Sequence, residues 1–105
     1  MIYRVMTNPY EETRSELSSL VTDACKQAIK DGVLPDAELA VPFCEEPADA
    51  ANGDLSCTFA LVMARIMRLS PRKIADEIVS RFSLENSVFK SVSSAGAGFI
   101  NVRFG

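Results

Sequence analysis

The chain has 105 residues, of which 48% are hydrophobic and 24% are charged, and its formal net charge is −3. This length allows one globular core and excludes two. A run of about 18 apolar residues, as a membrane span requires, is absent, and the N-terminus lacks the basic and apolar regions of a secretory signal, so we expect a cytosolic protein.

The three cysteines do not indicate a disulfide framework or a metal site. Cys25, Cys44 and Cys57 are odd in number and widely spaced, and the sequence has no histidine and no Cys-x-x-Cys pair. We expect three buried thiols and no bound metal.

Charge is distributed unevenly along the chain. Residues 1–54 carry four basic and eleven acidic side chains, whereas residues 55–105 carry seven basic and three acidic ones. Such a difference between halves is consistent with one surface that faces a polyanion, and equally with helix faces that are only solvated.

The first predicted element is a long amphipathic helix. Asn8 can cap it, Pro9 suits its first position, and apolar residues recur at helical spacing until Asp31 and Gly32. Residues 39–43 then form a short apolar run in which Pro42 excludes a central strand, so we predict an edge strand or an extended segment.

Two further helices are predicted. Asp54 can cap a helix that runs through Arg68, and Ser70-Pro71 begins another that ends near Phe82. In the third helix, Glu77 has a basic residue four positions away on each side. The predicted buried stripe of the second helix consists of Phe59, Val62, Met63, Ile66 and Met67.

Residues 88–93 and 99–104 have the composition of two strands joined by a glycine-rich turn, which indicates a hairpin. The order of helix, extended segment, two helices and hairpin predicts an α+β fold. We expect two layers, with the helices packed on one face of a small antiparallel sheet.

The last strand predicts two different faces. Strand alternation places Ile100, Val102 and Phe104 toward the core. On the other face it places an aromatic ring, an amide and a cation, which together can hold an unpaired nucleotide. These are the side chains of Phe99, Asn101 and Arg103. A buried ring and a solvent-facing amide are the alternative interpretation.

Catalytic chemistry is not indicated. Histidine, the usual general base, is absent, and Cys57 near the predicted helix start is better explained as a buried thiol. The turn formed by Gly96, Ala97 and Gly98 lies between strands, unlike a phosphate-binding loop, which precedes a helix. The sequence therefore predicts a binding module.

Four ordered motifs resemble the N-terminal additional domain of arginyl-tRNA synthetases. They are Gly53-Asp54-Leu55-Ser56-Cys57-Thr58, residues 60–64 (Ala-Leu-Val-Met-Ala), Ser70-Pro71-Arg72-Lys73-Ile74-Ala75 and Ala95-Gly96-Ala97-Gly98-Phe99-Ile100-Asn101. The resemblance covers essentially the whole chain, which we treat as a single domain.

This resemblance implies an α+β appendage that contacts the D-loop of arginine tRNA through Phe99 and Asn101. It also implies a separate catalytic domain that binds ATP, because the His-Ile-Gly-His-like and Lys-Met-Ser-Lys-Ser-like motifs are missing here. This domain itself would need no cofactor. Leu55, Thr58 and Ala97 depart from the family's tyrosine, asparagine and proline.

The predicted RNA-binding face comprises Phe99, Asn101, Arg103, Arg65, Arg68, Arg72 and Lys73. The predicted supporting turn and cap residues are Gly53, Asp54, Gly96 and Gly98. The four helical cations could instead be a solvated surface, and the whole chain could be a protein-interaction or structural module. An exposed apolar patch would favour that alternative.

Overall fold

The computed structural model describes residues 9–47, 53–85 and 87–104. Their elements, in chain order, are α1 (Pro9–Lys30), β1 (Cys44–Glu45), β2 (Leu55–Cys57), α2 (Phe59–Met67), α3 (Pro71–Ser80), β3 (Phe89–Ala95) and β4 (Phe99–Phe104).

The strands form one antiparallel sheet in the order β1-β2-β4-β3. Ile100 and Val102 of the inner strand β4 are fully buried and define the face that the helices cover. Ser94, two positions along from Val92 on the same face, donates a hydrogen bond to Asp76 of α3. The predicted α+β fold with an antiparallel sheet is confirmed.

Helices α1 and α3 were predicted well. The Ser70 hydroxyl accepts a hydrogen bond from the Lys73 backbone N–H at 3.3 Å, as expected of a cap. Glu77 pairs with both Lys73 and Arg81, and Arg81 also reaches Asp31 beyond the end of α1 at 2.8 Å. The predicted cap Asn8 lies outside the described residues.

The prediction for α2 is wrong about the residue at which the helix begins and about two residues of its buried stripe. Residues 55–57 form strand β2, because Leu55 and Cys57 pair with Val102 and Ile100 of β4. The helix begins only at Phe59. Val62 and Ile66 are 47% and 51% exposed, since the buried stripe of α2 runs through the four residues Phe59, Ala60, Met63 and Met67.

The structure also tests the predictions for residues 39–43 and for Phe104. Residues 39–43 form no helix or strand, and β1 begins directly after them as an edge strand. Phe104, expected in the core, is 43% exposed. It lies at the end of β4, where its ring stacks on buried Phe89 with centroids 6.1 Å apart.

All three cysteines are free and buried, as predicted. Within residues 9–47, 53–85 and 87–104, no helix is long and apolar enough to cross a membrane. The same residues contain no group of histidine, cysteine or carboxylate side chains arranged to hold a metal ion.

Candidate nucleic-acid interface

The β3–β4 turn is packed tightly against the start of α3. Gly98 has φ of 141°, and a Cβ atom at this position would lie 2.7 Å from the Pro71 Cβ. Only glycine allows both this backbone conformation and this approach. The Gly98 N–H donates to the Ala95 carbonyl at 3.2 Å, which closes the turn. The predicted turn role of Gly96 and Gly98 is confirmed.

Phe99 follows this turn directly and is 38% exposed, as expected from strand alternation. Its ring lies beside Gly96, where a Cβ atom would be 3.7 Å from the Phe99 Cδ2. The turn therefore presents one partly exposed aromatic face on the side of the sheet that points away from the helices.

A row of four polar residues crosses this same face. Asn101 pairs with Ser56 on one side and Ser93 on the other, and Ser56 pairs with Glu45. Because directly opposed residues share a face, their side chains line up across all four strands. Asn101 lies in the middle of this row, two positions from Phe99.

The expectation that Asn101 is accessible is wrong, since only 6% of it is exposed. It lies on an inner strand between two neighbours, and a Cβ atom at Gly53 would approach its own Cβ to 3.5 Å. Its amide oxygen is buried and has no hydrogen-bond partner within the described part of the chain. A buried acceptor without a partner costs about 1–3 kcal/mol and marks a position where a donor is favoured.

Gly53 and Asp54 contact strand β4, and Asp54 does not act as the predicted helix cap. The Asp54 carboxylate accepts a hydrogen bond from the Phe104 N–H, and the Asp54 N–H donates to the Val102 carbonyl, both at 2.8 Å. A Cβ atom at Gly53, whose φ is 126°, would lie 2.8 Å from the same carbonyl. These contacts hold the second half of β4 in place.

Arg72 is the helical cation that the structure brings to the turn. Its guanidinium donates to the Gly96 carbonyl at 3.1 Å and pairs with Asp76 at 3.2 Å. Hydrogen bonds from the Ser94 hydroxyl and then from Arg72 lower the pKa of Asp76. The carboxylate therefore stays charged and holds the guanidinium beside the turn, with half of the side chain still exposed.

The other predicted cations are arranged differently. Arg103 is exposed on the sheet face of Phe99 and Asn101, while Lys73 is exposed and pairs with Glu77 at 3.7 Å. Arg65 and Arg68 are exposed on and just after α2, and no hydrogen bond among the described residues joins either to the turn. The structure thus places Phe99, Asn101 and Arg103 on one sheet face and Arg72 at the adjacent turn, whereas Arg65 and Arg68 have no hydrogen bond to that turn among the described residues.

Sequence reasoning missed Ser56, Ser93 and the supporting role of Pro71. The sequence predicts a helix that includes Ser56, and this prediction does not place Ser56 beside Asn101. The Pro71 contact with Gly98 joins residues that are far apart in sequence and leaves no local pattern.

A family model described as arginyl tRNA synthetase N terminal domain matches residues 15–104. The chain belongs to this family. Arginine–tRNA ligase of Caldanaerobacter subterraneus is 36% identical over 96 residues, which are 91% of this chain and 17% of that protein. The ligase of Symbiobacterium thermophilum is 37% identical over 93 residues, 89% of this chain and 16% of its own length.

Solved arginyl-tRNA synthetases contain the same fold. The enzyme of Thermus thermophilus superposes with a TM-score of 0.59 at 25% identity, over 88% of this chain and 14% of the other. The Plasmodium falciparum enzyme gives 0.67 at 15% identity, over 88% and 16%. The matched part of the chain spans about a sixth of the length of the Caldanaerobacter and Symbiobacterium ligases.

Proposed function

We propose that this chain is the tRNA-binding part of an arginine–tRNA ligase, and that the sheet face around Phe99 contacts an unpaired nucleotide of the tRNA D-loop. Membership of the family supports the general role. Arginine and ATP would bind in the remainder of a longer polypeptide, because the chain matches only about a sixth of the length of the arginine–tRNA ligases that it resembles.

The observation that carries the proposal is that Phe99 and Asn101 lie on the same face of β4. A partly exposed ring and a buried amide oxygen that has no partner among the described residues share one face, two residues apart. A base that stacks on the ring can donate an imino or amino N–H to that oxygen once the Asn101 side chain turns outward, because the oxygen is buried in the unbound chain. One ligand would thus cover an exposed aromatic surface and satisfy a buried acceptor.

Cations flank this pair. Arg72 holds its guanidinium at the turn next to Phe99, and Arg103 is exposed beyond Asn101. Backbone phosphates on either side of a bound nucleotide would lie near these two positive groups. Since the whole chain carries a net charge of −3, we expect phosphate contacts to be confined to this face, with affinity falling as salt rises.

The test is a fluorescence anisotropy titration of the chain with arginine tRNA and with the same tRNA made abasic at its unpaired D-loop positions. We expect the abasic form to bind about 5- to 150-fold more weakly, equivalent to a stacking contact of about 1–3 kcal/mol. Phe99→Ala should weaken binding of the intact tRNA similarly and leave the abasic form unaffected. Equal affinity for both tRNAs would refute D-loop recognition.

A second surface favours an additional role as a docking module. Val62 and Ile66 lie one helical turn apart on α2, and both side chains are about half exposed. Because the curated relative is more than five times as long as this chain, we propose that this apolar strip packs against the remainder of the same polypeptide. Val62→Ser with Ile66→Ser should leave tRNA binding by this chain unchanged and lower the Tm of the longer protein.

A further inference from the structure

Two of the three cysteines form a cross-strand pair. Cys44 in β1 and Cys57 in β2 are direct partners in the antiparallel register. Both are fully buried on the sheet face that the helices cover, and Cys57 also pairs with Ile100 of that face. The two thiols therefore face each other across the ladder.

The backbone pattern sets the distance between them. The Thr58 N–H donates to the Phe43 carbonyl at 3.2 Å, so Phe43 and Thr58 occupy a hydrogen-bonded position of the ladder. The next pair, Cys44 and Cys57, therefore occupies a non-hydrogen-bonded position, where Cα atoms are about 4.5 Å apart and side chains are closest. Disulfides span Cα distances of about 4.4 to 6.8 Å, so the pair lies just inside that range.

We propose that Cys44 and Cys57 form an intramolecular disulfide when the protein meets a peroxide, and that this bond fixes edge strand β1 to β2. This modification site is independent of the RNA-binding face. It arises from the direct opposition of two thiols in neighbouring strands.

The reaction begins at Cys57. The neighbouring Cys44 thiol lowers the pKa of the Cys57 thiol, while Cys57 and burial raise the pKa of Cys44. The Cys57 thiolate attacks one peroxide oxygen, so an S–O bond forms, the O–O bond breaks and hydroxide leaves. The Cys44 sulfur, losing its proton, then attacks the Cys57 sulfur, so an S–S bond forms and the S–O bond breaks. In total, two thiols and one hydrogen peroxide give one disulfide and two waters.

Access and selectivity follow from the position of β1. This strand has two residues and lies at the sheet edge, so brief local opening exposes Cys44 and Cys57 to a small oxidant. Cys25 instead lies inside α1, and burial raises the pKa of its thiol to about 11. We therefore expect Cys25 to remain reduced.

The experiment treats the folded chain with hydrogen peroxide, then alkylates it with N-ethylmaleimide in denaturant. Intact mass should show one maleimide adduct after oxidation and three after dithiothreitol, because one of three thiols stays free. Peptide mapping should place the cross-link between Cys44 and Cys57. Cys25→Ser, the matched control, should still form the bond and retain no adduct.

Three results would overturn the proposal. They are three adducts after peroxide treatment, a cross-link that includes Cys25, and sulfinic or sulfonic acid without any cross-link. Cys44→Ser should lose the disulfide, and if that variant does not fold, mapping of the unmodified sequence still decides the question.

Discussion

The Arg72 guanidinium donates a hydrogen bond to the Gly96 backbone carbonyl at 3.1 Å, which joins the start of α3 to the β3–β4 turn. Together with the close contact of Pro71 and Gly98, it fixes the turn that precedes Phe99. A cation in a helix is thus joined by a hydrogen bond to the turn that precedes an aromatic ring in a strand.

Arg72→Ala should therefore weaken tRNA binding more than a change at its neighbour. We expect roughly a tenfold loss of affinity and a salt dependence reduced by about one phosphate contact. Lys73→Ala is the control, because its side chain is 49% exposed against 52% for Arg72 and is also ion-paired, but pairs with Glu77 and not with the turn. Equal effects of the two variants would contradict a specific role for Arg72.

Phe99→Ala should reduce tRNA affinity by about 1–3 kcal/mol with little change in thermal stability, because the ring is partly exposed. Val102→Ala removes buried methyl groups from the core face and should lower the free energy of unfolding by about 1–3 kcal/mol. Titrations at a temperature where both variants are folded, together with melting curves, separate these effects. A Phe99→Ala variant that unfolds as readily as Val102→Ala would place the ring in the core.

Asn101→Leu tests the unpaired amide oxygen. The substitution has similar volume and removes a buried acceptor that has no partner among the described residues. We expect the free energy of unfolding to rise by up to about 1–3 kcal/mol, since a buried acceptor without a partner is removed and no hydrogen bond to that oxygen is lost. Binding of tRNA should nevertheless fall about tenfold or more. Urea unfolding and anisotropy titration measure the two quantities, and unchanged binding would remove Asn101 from the site.

Gly98→Ala should destabilise the fold by about 1–3 kcal/mol, because its φ of 141° is strained for alanine and the new Cβ would meet Pro71 at 2.7 Å. Ala97→Gly is the matched change in the same turn, and it should cost less than about 1 kcal/mol. Denaturant midpoints compare the two. Similar midpoints would show that the turn accommodates alanine at position 98 without loss of stability.

The lowered pKa of Asp76 predicts that the stability of the fold decreases at acidic pH. Its pKa is lowered in the folded state by Ser94 and Arg72, so its contribution to stability is present above the unfolded pKa and is lost as pH falls through the folded one. Urea midpoints measured from pH 6 to about pH 2 should therefore decline less for Asp76→Asn than for the unmodified chain. If the urea midpoints of the two proteins fall equally with pH, the charge of Asp76 does not contribute to stability.

Sequence alone determined the features that depend on near neighbours. The bounds of α1 and α3, the Ser70 cap, the pairing of Glu77 and the hairpin arise from interactions within about four residues or across one short turn, and these leave a local pattern. Strand alternation likewise predicted buried Ile100 and exposed Phe99. The family motifs supplied the relationship to arginyl-tRNA synthetases, which the comparisons confirmed.

Tertiary structure alone decided how the site is assembled. Residues 55–57 became a strand because β4 offered a free edge, which overrode the capping pattern at Asp54. Asn101 became buried because β2 and β3 flank it on both sides, and Arg72 was selected over Arg65 and Arg68 by a contact across 24 residues. Such contacts depend on how distant segments pack, and no local spacing in the sequence encodes them.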